Sequence, residues 1–275
     1  MEEKSKENKT LTFTQEECFF EFAKRTITIL DKRAAMEQPK AIHMYNRFQC
    51  ILIIGTDPVR LRFLSYVFSQ HLVLTRKDQD VHLLRSDFSS NLIQHESAFR
   101  LLEKYNFQDQ HFLKCFKIIK LASHEALLEH LLSLNTENSD LAPGALIVDN
   151  LASWTQFLPS NGEEEPGSQY LDEDPVDKKL RFIHLTCSAL REAISHCGRI
   201  YSGEITPITR RTTDCPQPIS KKALLIVTLN LNDFFTTLYP EGLPAGDEAK
   251  DERDQFINVL ANEFFSDGCI DADLL

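Results

Sequence analysis

The stretch Gly55-Thr56-Asp57-Pro58-Val59-Arg60-Leu61-Arg62 follows an apolar run and leads into another, the setting in which a chain can cradle phosphate. A phosphate loop of the form GxxxxGK[ST] works through three parts. Its glycines let backbone N–H groups close around the anion, its Lys reaches the terminal phosphates, and its hydroxyl binds Mg²⁺. Aligned on Gly55, Arg60 stands where the second Gly belongs, Leu61 where Lys belongs and Arg62 where Ser or Thr belongs. Asp57 adds a charge of the same sign as any phosphate. The residues therefore predict no productive ATP hydrolysis. Gly55 and Thr56 still line the turn, and Arg60 or Arg62 remains a candidate anion contact at a helix N-terminus.

Asp149 closes the run Ala145-Leu146-Ile147-Val148. An acid at that place in a nucleotide-binding sheet holds Mg²⁺ or its water. The plainer reading is an acid that caps the next turn. A third set is basic: residues 198–222 carry Arg199, Arg210, Arg211, Lys221 and Lys222 against Glu204 and Asp214, a local net of +3. With Tyr201 available to stack on a base, this stretch is the DNA-binding candidate. Its competing reading is a solvated hairpin before a strand.

Other groupings carry less. Phe20-Glu21-Phe22-Ala23 fits an F-x-x-A docking pattern, but it sits in a helical pattern and reads better as a core face. His124-Glu125 with His130 misses the HExxH spacing, because Leu128 stands where the second His belongs. Cys187, His196 and Cys197 lie nine and ten residues apart and do not make a closed metal site. Trp154 reads as packing.

These residues need elements to hold them. Cys50–Gly55, Ala145–Asp149 and Ala223–Leu229 are almost wholly apolar, as strands buried on both faces must be. Val81–Leu84 and Phe116–Leu121 are further strand candidates. Helical spacing appears at about 15–36, opened by Thr14 and Glu17 as a capping box, and again after Asp57-Pro58. It recurs at about 91–105, after Ser123, over 179–196, and around Phe256–Phe264, which also suits a strand. Strands alternating with helices predict an α/β fold with a mostly parallel central sheet flanked by helices. Ligands of such sheets bind beyond the carboxyl ends of the strands. Gly55–Arg62, Asp149-Asn150 and Asn230-Leu231-Asn232 are thus expected near one edge. The organisation reads as a polar tail (1–13), a helical extension (14–47) and a core (48–275) with an acidic loop (155–178).

The 275 residues carry 30 Lys and Arg against 41 Asp and Glu, a net charge of −11. A nucleic-acid binder that works through bulk charge has the opposite balance. Any DNA contact is therefore expected to be local or shared with a partner. The segments 155–178 and 241–254 hold seven and six acids, so neither suits phosphate. Seven scattered cysteines without a CxxC pair predict reduced thiols. No apolar run predicts a membrane helix, and the charged N-terminus predicts no secretory signal.

The order ILIIG-turn-helix, FKIIKLASHEALLEHL, ALIVDNLASW, LRFIHLTCSALREAI and KKALLIVTLN resembles a RecA-type ATPase core across about 48–265. More narrowly it is similar to recombinase paralogues and Shu-complex-type recombination mediators with a degenerate Walker A loop. That resemblance implies a Walker A position at Gly55–Arg62 without its Lys and Ser/Thr, and an intact Walker B position at Leu146–Asp149. It implies a non-catalytic or weakly nucleotide-binding subunit of a heteromeric complex in the nucleus. The implied partners are a RecA-like paralogue or recombinase, a SWIM-type protein, and single-stranded DNA within the complex. ATP with Mg²⁺ is the cofactor such a core would take. The alternatives are an active ATPase with an unorthodox phosphate loop and an α/β interaction scaffold unrelated to DNA.

Overall fold

The computed structural model describes residues 13–36, 48–76, 79–86, 114–135, 142–157, 175–201, 222–238, 247–265 and 267–275. Side chains at the ends of some of these stretches are not described. The predicted helix at 91–105 lies outside the described residues, as do most of the acidic loop and Arg210, Arg211 and Lys221.

The chain runs α1 (Phe13–Met36), β1 (Phe48–Gly55), α2 (Pro58–Thr75), β2 (Val81–Ser86), β3 (Phe116–Leu121), α3 (His124–Leu134) and β4 (Ala145–Asp149). A 3-10 segment (Leu151–Phe157) follows, then α4 (Pro175–Tyr201), β5 (Ala223–Asn230), α5 (Leu231–Leu238), α6 (Asp247–Phe264), β6 (Gly268–Asp271) and a 3-10 turn (Ala272–Leu274). The six strands form one sheet in the order β3-β2-β4-β5-β1-β6, and every paired neighbour is parallel.

This topology decides which face each helix covers. Parallel crossovers are right-handed, so helices that carry the chain one way along the sheet lie on one face and those that return lie on the other. The step from β1 to β2 uses α2. The steps back from β3 to β4, β4 to β5 and β5 to β6 use α3, α4 and α5 with α6. The core divides accordingly. Ile51, Ile53, Leu83, Ile147 and Ile226 point toward α2 and α1. Their strand neighbours Leu52, Leu84, Val148 and Val227 point toward α3, α4, α5 and α6. Successive strand residues face opposite ways, so a strand buried on both sides must be apolar throughout.

Helix α1 packs on α2 through Phe19, Ala23, Ile27 and Leu30, four of the five residues of the stripe expected from its spacing, while Phe22 of that stripe is half-buried and Phe20 is buried. Burying side chains such as Ile27 and Leu30 contributes roughly 1.5–3 kcal/mol each. Phe20 and Ala23 of the F-x-x-A pattern lie in this helix and are buried. The helix is also tied by charge: Arg76 at the end of α2 pairs with Asp31 at 2.8 Å and donates to the Lys222 carbonyl at 2.8 Å. It starts at Phe13, slightly ahead of the expected cap at Thr14, whose side chain is not described.

Three features differ from the expectations. Residues 247–254, part of an expected loop, are the first turns of α6, while 241–246 lie outside the described residues. Helix α4 is longer than 179–196 at both ends, with Pro175 in its first turn, where a missing N–H costs nothing. Strand β6 and helix α5 have no counterpart in the sequence reading.

Candidate functional site

Gly55 of β1 lies in register with Asn230 of β5. From that pair the chain leaves β1 toward one face and β5 toward the other, the kind of crevice in which open parallel sheets place ligands. Asp149 and Asn150 end β4 on the far side of β5. The expected gathering of Gly55–Arg62, Asp149-Asn150 and Asn230–Asn232 at one edge is therefore present.

Most donors of the turn after β1 are taken up within the chain, while the Arg60 Nε is buried without a partner. Asp57 is the N-cap of α2, and its carboxylate accepts from the Val59 and Arg60 N–H groups at 2.9 and 3.3 Å. An anion bound at this helix start would need those same donors. The Thr56 N–H and hydroxyl both donate to one Asp273 carboxylate oxygen, at 2.9 and 2.8 Å. Asn232 donates to the Thr56 carbonyl at 3.2 Å, and Arg60 donates to the Ala272 carbonyl at 3.1 Å. The Arg60 guanidinium also lies 5.6 Å from the centre of the Phe19 ring, which ties α1 to the same turn. Gly55 allows this approach. A Cβ there would sit 3.3 Å from Leu61 and 3.4 Å from both Ala272 and Asp273.

Asp149 is buried and faces two arginines. Arg62 donates to Asp149 at 3.1 Å, and Arg85 of β2 lies 3.8 Å from the same oxygen. Burial pushes the Asp149 carboxyl up, and the guanidiniums of Arg62 and Arg85 draw it back toward the ionised form. Arg85 also donates to the Tyr66 hydroxyl at 3.4 Å. Arg62 supplies positive charge to the buried Asp149 carboxylate.

Beside this pair, a polar network joins the ends of β4 and β5. Asn150 adopts φ 56°, a left-handed conformation that Asn tolerates better than most residues. Its N–H donates to Thr228 at 2.8 Å, its amide donates to Asp233 at 2.8 Å, and its side-chain oxygen accepts from the Asn230 N–H at 3.1 Å. Asn230 in turn accepts from the Asp233 N–H at 3.0 Å. Buried polar groups need such partners, and these bonds hold the turn, while the Asn230 Nδ2 is buried without a partner.

The basic candidates lie elsewhere. Arg199 and Tyr201 end α4, and Lys222 precedes β5, so all three stand at the amino edge of the sheet. The seven residue steps from Ala223 to Asn230 along β5 separate that edge from the Gly55–Asn230 pair by about 23 Å at 3.3 Å per step. The Tyr201 hydroxyl donates to the Ala142 carbonyl at 2.8 Å.

The buried cysteines of the core offer no nucleophile. Burial pushes the Cys187 and Cys197 thiols up to about 12 and raises Cys50 as well, which keeps them protonated and unreactive. Among the described residues, no group of three His, Cys, Asp or Glu could hold a metal ion. His124 lies 3.2 Å from the Thr186 hydroxyl, which donates to the Phe182 carbonyl, so the imidazole joins α3 to α4. Trp154 is fully buried, as its packing role predicts. No described helix is long and apolar enough to cross a membrane.

Sequence reasoning missed Arg85, Thr228 and Asp273 as parts of this edge, while Asn150 was placed there without its network. Arg85 carried a signal, because an acid ending an apolar strand requires a buried cation. Asp273 carried none, since it sits in a three-residue 3-10 turn after the short strand β6, far from Thr56 in sequence. The chain matches no protein-family model, and no curated protein is similar to it.

Proposed function

We propose that the chain is a non-catalytic RecA-like subunit of a recombinase-paralogue complex that assists homologous recombination and DNA repair. It acts through protein contacts and, within the complex, through single-stranded DNA. The observation that carries the non-catalytic part is the internal satisfaction of the strand-end turn. Asp57 takes the helix N–H groups, Asp273 takes both Thr56 donors, and Arg62 takes Asp149. ATP hydrolysis needs a cation on the terminal phosphates and a carboxylate available to Mg²⁺. The residues present do not fit Mg²⁺ with ATP, and no hydrolytic step is assigned to them.

The RecA-type part is supported by the strand order, in which β5 alone separates the turn-bearing β1 from the acid-bearing β4. This spacing suits a core whose first strand presents phosphate and whose acid reaches across one intervening strand. The DNA contact rests on Arg199, Tyr201 and Lys222 at the amino edge, with Arg210, Arg211 and Lys221 nearby in sequence. In a chain of net charge −11, such a patch needs a partner's positive charge, and its affinity falls steeply with salt. Nuclear localisation and a SWIM-type partner belong to the same reading.

A tagged pull-down from the native cell type with mass spectrometry tests it. Recovery of a recombinase, a RecA-like paralogue or a SWIM-type protein is expected. Reproducible recovery of unrelated partners, with none of these, removes the recombination role and leaves the α/β fold.

A further inference from the structure

We infer that the Ala272–Leu274 turn is an intramolecular plug that closes the turn after β1 against anions. Strand β6 pairs with β1 from Ile51 to Ile54, which delivers the plug to the end of β1. Asp271 caps the plug by accepting from the Asp273 N–H at 2.9 Å. The Asp273 carboxylate then meets the N–H and hydroxyl of Thr56, and the Ala272 carbonyl receives Arg60. The Thr56 N–H, the Thr56 hydroxyl and one terminal Arg60 nitrogen converge at this turn, and these three are spent on one short segment of the same chain. A phosphate-type anion would need the same donors, so its binding and the seating of residues 268–275 exclude each other. Asp57 separately takes the Val59 and Arg60 N–H groups, so the plug governs only the Thr56 donors and the Arg60 guanidinium. The inference rests on reading this turn as a vestigial phosphate site, but not on the recombination role. A failed pull-down leaves it standing, and its own failure leaves the pull-down result unaffected.

The test compares pyrophosphate binding by calorimetry, at low salt, in the full chain and in Asp273→Ala. Asp273→Asn, which keeps the shape of the side chain, serves if the first variant does not fold. The expected result is about tenfold tighter pyrophosphate binding in the folded variant. Adding Arg60→Ala to the same background should reverse the gain. Amide exchange across 268–275 should also quicken when pyrophosphate is added to the variant. A gain below threefold in the folded variant overturns the inference. So does wild-type binding of pyrophosphate that leaves the exchange of 268–275 unchanged.

Discussion

Arg62 donates to Asp149 at 3.1 Å and thereby joins the first turns of α2 to the end of β4, 87 residues further along the chain. A buried carboxylate is costly without a cation, and this one has Arg62 with Arg85 behind it. Removing the acid takes from Arg62 and Arg85 the carboxylate they share in a largely buried site. Asp149→Ala is therefore expected to lower stability by about 3–5 kcal/mol, read from urea unfolding. Replacing the pair together, as Arg62→Leu with Asp149→Leu, should recover part of that loss. A loss in the double variant equal to the sum of the losses in Arg62→Leu and Asp149→Leu would show that the pair is not coupled.

The second prediction concerns pH. His82 is buried and neither ring nitrogen has a partner; its ring centre lies 6.3 Å from that of His130. Burial, then the nearby Lys117 ammonium, lower its pKa from 6.5 to about 4, with Asp80 opposing and His130 adding to the shift. His124 and His130 are lowered in the same direction by burial. The unfolded chain therefore takes up these protons first. Stability is full above about pH 6.5 and falls as the pH drops toward 4, by on the order of a few kcal/mol. Denaturant midpoints measured across that window should show the slope, and His82→Leu should flatten it. A flat profile in the wild type contradicts the assignment.

The third prediction separates backbone strain from lost hydrogen bonds at Asn150. Asn150→Ala loses the contacts to Asp233 and Asn230 and places a Cβ residue at φ 56°. Asn150→Gly loses the same contacts without that strain. The Gly variant should be more stable than the Ala variant by about 1 kcal/mol. Thermal unfolding of the two variants side by side decides it. If Ala is the more stable, the left-handed turn is not retained in solution.

Much of the α/β pattern was legible because β1, β4 and β5 are apolar on both faces and have few alternatives. The cap at Asp57 and the start of α2 at Pro58 followed from local chemistry. The edge shared by Gly55, Asp149 and Asn230 followed from the rule for parallel sheets. What failed was non-local. Strand β6 has four residues, Gly268-Cys269-Ile270-Asp271, whose pattern carries no strand signal, and only pairing with β1 makes it one. Arg62 read as an anion contact until the fold brought Asp149 to it. Sequence spacing gives no measure of a contact across 87 residues.

Calorimetry of the wild-type chain with Mg²⁺ and ATP tests the central claim most directly, since that claim is a strand-end turn filled by the protein's own charges. The predicted result is no measurable heat of binding and no shift of the melting temperature at millimolar nucleotide. Saturable binding that disappears in Asp149→Asn, with the fold retained, would contradict the account and return the turn to nucleotide chemistry.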